Sequence, residues 1–367
     1  MFKRPVLILN GGSSSIKFAL YETEGALTQL FSGELERVDR DKVAYQLIDR
    51  LEKQESFASV RAIGHRIVQG MQHTDPERIT PALLDELQQA SVFDPEHMPA
   101  AIKLIEMFGK RYPDLVQVAC FDTSFHATMP PVAQLIPIPR RFQSGGIRRY
   151  GFHGLSYAYL MEELCRIAGP SAAQGRVLLA HLGNGASLAA VKEGKSIDTS
   201  MGFTPAAGLV MGSRTGDLDP GVAAYLMQRE KLSPEQFSHL INHESGLRGI
   251  SETGSDMREL QRIEGTDKRA AEAIDLFCYQ TKKWIGSFAA VLGGLDTLVF
   301  SGGIGENDAV VRERICRGLQ FLGIELEETR NIKNEPVISK GPVTVRVIRT
   351  NEELMIARSV CQVMKYD

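Results

Sequence analysis

The residues best suited to chemistry in this sequence sit on or beside glycine-bearing turns. The first turn lies within Val6–Tyr21, where four apolar residues run into Asn10, Gly11-Gly12 and three serines, followed by Ile16-Lys17-Phe18-Ala19-Leu20-Tyr21. Both flanks have strand composition, so the Gly/Ser segment is expected to be a hairpin turn. In a P-loop or a dinucleotide fingerprint the glycines lead from a strand into a helix instead. Here the available donors are turn amides, the three serine hydroxyls of Ser13–Ser15 and the Lys17 ammonium, a set that suits an anion such as phosphate. Val177–Val191 repeats the design, with an apolar strand, His181, Gly183-Asn184-Gly185 and a second apolar strand. A third cluster, Ser301–Asn307, follows Leu298-Val299-Phe300 and precedes a helix, so its backbone can approach a flat ligand or a phosphate.

Charged groups stand near these turns. Arg66 closes Gly64-His65-Arg66 at the end or interruption of a strand, and Arg214 lies between glycines in Gly212–Asp217. Asp122 directly follows the apolar run Val116–Phe121, at the carboxyl end where α/β sheets bind ligands. Glu352 and Glu353 follow the strand Val343–Ile348, and Asp122 with Glu352 would offer a hard oxygen-donor Mg²⁺ site from two different strands. His126, His153 and His181 can each donate to an anion or sit satisfied in the core. No His/Cys/Asp cluster has transition-metal spacing. Ser13–Ser15 lack the strand-to-helix elbow of a serine hydrolase. Such an inventory suits phosphoryl transfer, which needs charge neutralisation, a metal and in-line positioning.

The elements that must position these groups give an α/β pattern. Strands are expected at Val6–Leu9, Ile16–Tyr21, Ala62–Val68, Val116–Phe121, Val177–His181, Ser187–Val191, Thr297–Phe300 and Val343–Ile348. Helices are expected at Pro81–Gln89, Met98–Phe108, Leu155–Ala168, Val222–Gln228, Lys268–Leu292, Ala309–Leu319 and Glu352–Met364. The long helix carries apolar residues at helical spacing, and Gly293-Gly294 stop it. At 367 residues the chain exceeds one hydrophobic core, so two domains are expected. The echo between the two hairpins suggests two halves of similar design facing one cleft. A formal net charge of −3 offers no electrostatic case for nucleic acid or an anionic membrane. The five cysteines, Cys120, Cys165, Cys278, Cys316 and Cys361, share no CxxC spacing, which argues for a reducing compartment. With no signal-peptide or membrane-spanning pattern, the protein is expected in the cytoplasm.

The blocks NGGSSSIKF, FDTSFH, RRYGFHGLSY, HLGNGASLAAVKEG, DTSMGFTPAAGLVMGSRTGDLDP, FSGGIGEN and TNEELMIAR resemble, in order, those of the acetate/propionate/butyrate kinase family of the actin-like ATPase superfamily. The resemblance implies two actin-like ATPase (ribonuclease H-like) domains around a nucleotide cleft, residues 1–122 plus 354–367 and residues 123–353. It also implies reversible, ATP-dependent phosphorylation of acetate, or of propionate or another short carboxylate, by direct in-line transfer. Mg²⁺ or Mn²⁺ would be the cofactor and a homodimer the assembly, and a non-catalytic nucleotide-binding module is the alternative from another class. Position by position, Asn10, Ser13, Ser15 and Lys17 match the first phosphate hairpin, with Asn10, Asp122 and Glu352 on the metal side. Arg66 and Arg214 match the active-site arginines, and His153 matches the histidine beside the transferring phosphoryl group. His181, Gly183, Asn184 and Gly185 match the second phosphate loop, and Gly302, Gly303, Ile304, Gly305 and Asn307 the adenosine-side turn. Val68, Val92, Phe152 and Pro205 match the wall of the acyl pocket. The family's HNPPN segment reads Phe93-Asp94-Pro95-Glu96-His97 here, and the chain is shorter than typical members between Phe31 and Arg61. Valine at 92, where the family often carries leucine, leads to the expectation that propionate is accepted as well as acetate.

Overall fold

The computed structural model describes residues 4–12, 15–36 and 42–366. The chain divides into two compact units. One runs to Phe125, takes in Gly154–Tyr159 and resumes at Asn351; the other comprises His126–His153 and Leu160–Thr350.

In the first unit the strands are β1 (Val6–Gly11), β2 (Ser15–Glu22), β3 (Thr28–Glu36), β4 (Ala62–Ile67), β5 (Glu77–Arg78) and β6 (Val116–Phe121). Among the described residues they form a sheet of order β3-β2-β1-β4-β6-β5. The β1–β2–β3 meander is antiparallel, whereas β1, β4 and β6 run parallel. The apolar run of β1 follows from burial on both faces. Leu7 and Leu9 join Leu47, Leu51, Leu104 and Phe108 of the helices Lys42–Glu52 and Met98–Arg111. Val6 and Ile8 face the other way, onto Leu155 and onto Ile356 and Val360 of the helix Glu352–Met364. That helix lies so close that a Cβ on Gly64 would come within 2.6 Å of Ile356 and Val360 methyls, so β4 needs glycine there.

In the second unit the strands are β7 (Arg176–Leu182), β8 (Ala186–Lys192), β9 (Lys195–Thr199), β10 (Thr297–Ser301) and β11 (Thr344–Val347), in the order β11-β10-β7-β8-β9. Again three strands form an antiparallel meander and the first of them continues into parallel neighbours, β7–β10–β11. The echo expected between the two hairpins is therefore an echo of whole sheets. In register the pairs Asn10↔Lys17 and His181↔Ser187 hold the same place, one step before the pair that closes each hairpin.

All eight expected strands form, and the helices Lys268–Leu292 and Glu352–Met364 have the expected bounds. Capping explains the first: Asp267 accepts from the Arg269 amide, and Gly293 ends the helix at φ 71°. Arg66 is the penultimate residue of β4, within the expected strand Ala62–Val68. Two corrections apply. Gly302–Asn307 is itself a short helix, and Asp308 breaks it by capping the next, Ala309–Cys316. The strands β3, β5 and β9 and the helices Lys42–Glu52, Pro234–His243, Gly246–Ser251 and Met257–Ile263 were not expected. β3 is a half-exposed edge strand of mixed polarity, and β5 has two residues, so neither presents an apolar run.

Candidate active site

In the first unit, Asn10, Arg66 and Asp122 stand at the carboxyl ends of β1, β4 and β6, which are adjacent and parallel. Alternation along the strands puts them on the face covered by the helix Glu352–Met364. Arg66 Nη2 donates to Asp122 Oδ2 at 2.6 Å, and its Nη1 lies 3.4 Å from Asn10 Oδ1 and Gly11 O. Asn10 Nδ2 donates to Glu352 Oε2 and to Glu353 Oε1, both at 2.9 Å. Asp122 is fully buried and Asn10 nearly so. Burial by itself presses down the pKa of the Arg66 guanidinium, but Asp122, Glu352 and Glu353 outweigh it and hold the group charged above its ordinary range. Arg66 Nε–H is buried with no partner among the described residues. By register Ser15 and Lys17 lie on the same sheet face as Asn10. Lys17 is exposed, and Ser15 Oγ donates to Glu34 Oε1.

In the second unit, residues from four separate stretches converge on the β7–β8 hairpin. His153 and His181 stack with ring centroids 4.4 Å apart. His153 has a left-handed backbone, φ 60° and ψ 24°, immediately before the helix Gly154–Ala168, and its Nδ1 lies 2.8 Å from Ser187 Oγ. A Cβ on Gly185 would stand 3.1 Å from His153 Nε2 and 3.8 Å from Arg214 Nη1, so both cationic or donor tips point at this turn. Gly212 N–H donates to Asn184 O at 3.0 Å, which ties the arginine loop to the hairpin. Arg214 Nη1 also reaches Pro205 O at 3.4 Å. Gly183 approaches the amide of Gly303, and Gly302, at φ 77°, passes so close to Leu182 O that a side chain would collide with it. Glu306 Oε1 accepts from the amides of Gly302 and Thr350, pinning the start of the third glycine cluster.

Two hairpins of one design, two arginines and carboxylates at strand ends are a set suited to phosphoryl transfer. The acetokinase family profile matches residues 34–358. The chain belongs to the acetokinase family. A propionate kinase of Citrobacter rodentium is 40% identical to it over 98% of this chain and 96% of its own length. An acetate kinase of Methylocella silvestris is 42% identical over 97% of this chain and 96% of its own. The crystal structure of Porphyromonas gingivalis acetate kinase, 36% identical, superposes with a TM-score of 0.86 over 98% of this chain and 100% of the other. The fold of this acetokinase is accordingly the expected α/β pair of actin-like ATPase domains.

Of the remaining expected site residues of the acetokinase chain, Ser13 lies outside the described residues. Phe152 is buried beside His153, and Val68 is buried just beyond the end of β4. Val92 is 77% exposed and takes no part in a packed wall of its own unit. The altered segment 93–97 folds back on itself: Asp94 Oδ1 accepts from the His97 amide at 3.3 Å and faces His97 Nδ1 at 2.9 Å, both residues buried. Residues missed in the sequence are Glu306 and Ser187. Glu353, named in the sequence beside Glu352 but not carried into the site, is the second carboxylate on Asn10.

The first-unit cluster fits a hard divalent cation. Three carboxylates surround one guanidinium, the donors are all oxygen, and the excess is negative. Among the described residues no three or more His, Cys, Asp or Glu side chains form an all-protein cage. Mg²⁺ needs none, since it takes one or two carboxylates and completes its shell with water and phosphate oxygens.

Proposed function

We propose that this acetokinase acts as a kinase of short carboxylates, transferring the γ-phosphoryl group of ATP to acetate, with propionate as an accepted alternative. The carboxylate is already ionised near neutrality, so no general base is required. One of its oxygens attacks the γ-phosphorus in line. As that P–O bond forms, the bond from the γ-phosphorus to the β–γ bridging oxygen breaks and its electron pair leaves with ADP. No proton moves, and the step reverses when acyl phosphate and ADP are bound.

Arg66, with an unpartnered Nε–H, suits the acceptor carboxylate. His153, His181 and Arg214 supply fixed donors and charge for the equatorial oxygens of the phosphoryl group. The hairpin amides and Gly302–Asn307 suit the rest of the nucleotide, and Phe152 and Pro205 the acyl methyl. Mg²⁺, held by Asp122 and Glu352 with Asn10 beside them, would neutralise phosphate charge. The observation that carries the reading is the convergence of His153 Nε2 and Arg214 Nη1 on the Gly185 turn. Ser187, the hydroxyl nearest His153, is fully buried in a strand and so unsuited to act as a nucleophile.

A cytoplasmic homodimer completes the proposal. The homodimer is what the family resemblance implies, and the five free cysteines suit a reducing compartment. The test is trapping of acyl phosphate as hydroxamate with Mg-ATP and a panel of short acids. Acetate is expected to give product, with propionate within about 10–200-fold in kcat/KM, the range one methylene commands. Nucleotide binding without product from any acid would mark a binding module instead.

A further inference from the structure

Two serine–histidine pairs in the second unit share a geometry that the proposed chemistry does not by itself require. In the first, His126 is buried, with Nε2 at 3.0 Å from Phe152 O and Nδ1 at 2.9 Å from Ser196 Oγ. A carbonyl only accepts, so Nε2 of the neutral ring carries the proton and Nδ1 is the acceptor. Ser196 therefore donates its hydroxyl proton to Nδ1. Burial pushes the His126 pKa down to about 4, so the ring is neutral at ordinary pH, while its bond to Phe152 O opposes that shift in part.

In the second pair, Ser187 Oγ stands 2.8 Å from His153 Nδ1. The other ring nitrogen, Nε2, faces the Gly185 turn together with Arg214. Ser187 is fully buried on β8, directly across the ladder from His181, whose ring stacks on His153. A phosphoryl oxygen has no proton to give, so a neutral imidazole serves it only when the proton is on Nε2. That requires a donor at Nδ1, and a hydroxyl can rotate to be one where a carboxylate or carbonyl could not.

We propose that Ser187 is a positioning residue which donates to His153 Nδ1, so that the neutral ring presents Nε2–H to the transferring group. The inference rests on the kinase reading above. His126 supports the same ring from the other side, because it holds the carbonyl of Phe152, the residue before His153, whose left-handed backbone needs such fixing.

The decisive measurement does not depend on activity. With ¹⁵N-labelled histidine, long-range ¹H–¹⁵N spectra of the whole protein distinguish the two tautomers. The His153 signals are identified by their loss in His153→Asn, and His126 provides an internal reference for the Nε2–H form. His153 is expected as Nε2–H, and the Nδ1–H tautomer in the wild-type protein would overturn the proposal even if no serine variant folds. In kinetics, Ser187→Ala is expected to lose about tenfold or more in kcat, the usual scale for a residue that orients a functional imidazole. The KM values for acid and ATP should stay within about twofold, since ground-state binding is untouched. Ser187→Thr, which keeps the hydroxyl, should recover most of the loss; equal loss in both variants, with the Nε2–H signal unchanged in Ser187→Ala, would assign Ser187 to packing alone. Absence of acyl phosphate from the wild-type protein would refute the kinase reading, and the tautomer assignment would still be decided by the spectra.

Discussion

Arg214 and Arg66 are held by different surroundings, and their substitutions should differ accordingly. Arg66 is committed to Asp122 at 2.6 Å with two further carboxylates close by, whereas Arg214 Nη1 lies 3.4 Å from Pro205 O and 3.9 Å from Met211 Sδ. Arg214→Lys keeps a positive charge at this place and should leave folding intact. It should lower kcat by about 10²-fold or more, since lysine cannot present a planar fork to phosphoryl oxygens. Steady-state kinetics beside a thermal melt would check this, and near-normal kcat with an unchanged melt would remove Arg214 from the proposed machinery. Much of each unit's candidate residue set was legible in the sequence because Asn10, Arg66 and Asp122 in the first unit, and His181 and Arg214 in the second, sit at strand ends or in glycine turns, where composition marks them. Ser187 was not, because a single serine in the apolar run ASLAAV looks like a tolerated polar residue. Only the pairing His181↔Ser187 puts it under the His153 ring, and pairing is a property of the sheet. Val92 is a different case: the family resemblance places it at the pocket wall, and within its own unit it is largely exposed.

At the scale of elements, the short helix Gly302–Asn307 has too few residues to hold its own shape and depends on neighbours. Arg312, fully buried in the helix Ala309–Cys316, supplies one of these supports. Its guanidinium donates to Gly305 O, Asn331 Oδ1 and Asn331 O, each at 2.8 Å, and to Asn334 Oδ1 at 2.5 Å. Every one of these partners is a neutral oxygen, and burial presses the arginine's pKa down while Asp308 partly opposes it. A buried cation without a bonded carboxylate is expensive, and it persists here because one planar group links three chain segments. The sequence carried a faint sign of this, since Arg312 falls on the same helix face as the buried Val311, Ile315 and Cys316. Arg312→Lys keeps the charge but cannot make four bonds in that plane. It is expected to destabilise the protein by about 3 kcal/mol, the scale for breaking a buried charged network. If Gly302–Asn307 serves the nucleotide, the ATP KM should rise several-fold while kcat stays within about twofold. Urea unfolding and ATP titration measure both, and unchanged stability in the Arg312→Lys variant would show that the network carries no net energy.

Across the whole molecule, the same sheet is built twice, and each unit buries a neutral histidine against its sheet. His65 lies on β4 next to Arg66, with Nε2 at 2.7 Å from Gln117 Oε1. His126 lies in the short turn Ser124–Thr128 and is bonded to Ser196 of β9. Burial lowers the pKa of each to about 4, against a partial upward pull from Gln117 on His65 and from the Phe152 carbonyl on His126. In the unfolded chain both rings titrate near 6.5, so between about pH 6.5 and 4 the unfolded state binds protons that the folded state refuses. Stability is fully present above about pH 6.5 and falls as the pH drops through that window. Each histidine should contribute on the order of 2 kcal/mol of loss by about pH 4. Thermal melts from about pH 7.5 down to about pH 4.5 should therefore show a steadily falling Tm. Carboxylate pairs add to the same slope near its lower end, so the histidines are isolated by substitution. His65→Gln and His126→Asn replace a titrating ring with a neutral amide, and each should flatten the Tm profile between about pH 6.5 and 5, where carboxylates contribute least. Such a variant starts from a lower Tm at neutral pH, so the slope is the quantity to compare. Parallel profiles for the wild type and both variants would mean that these rings are protonated in the folded state, contrary to the burial and hydrogen bonding that hold them neutral.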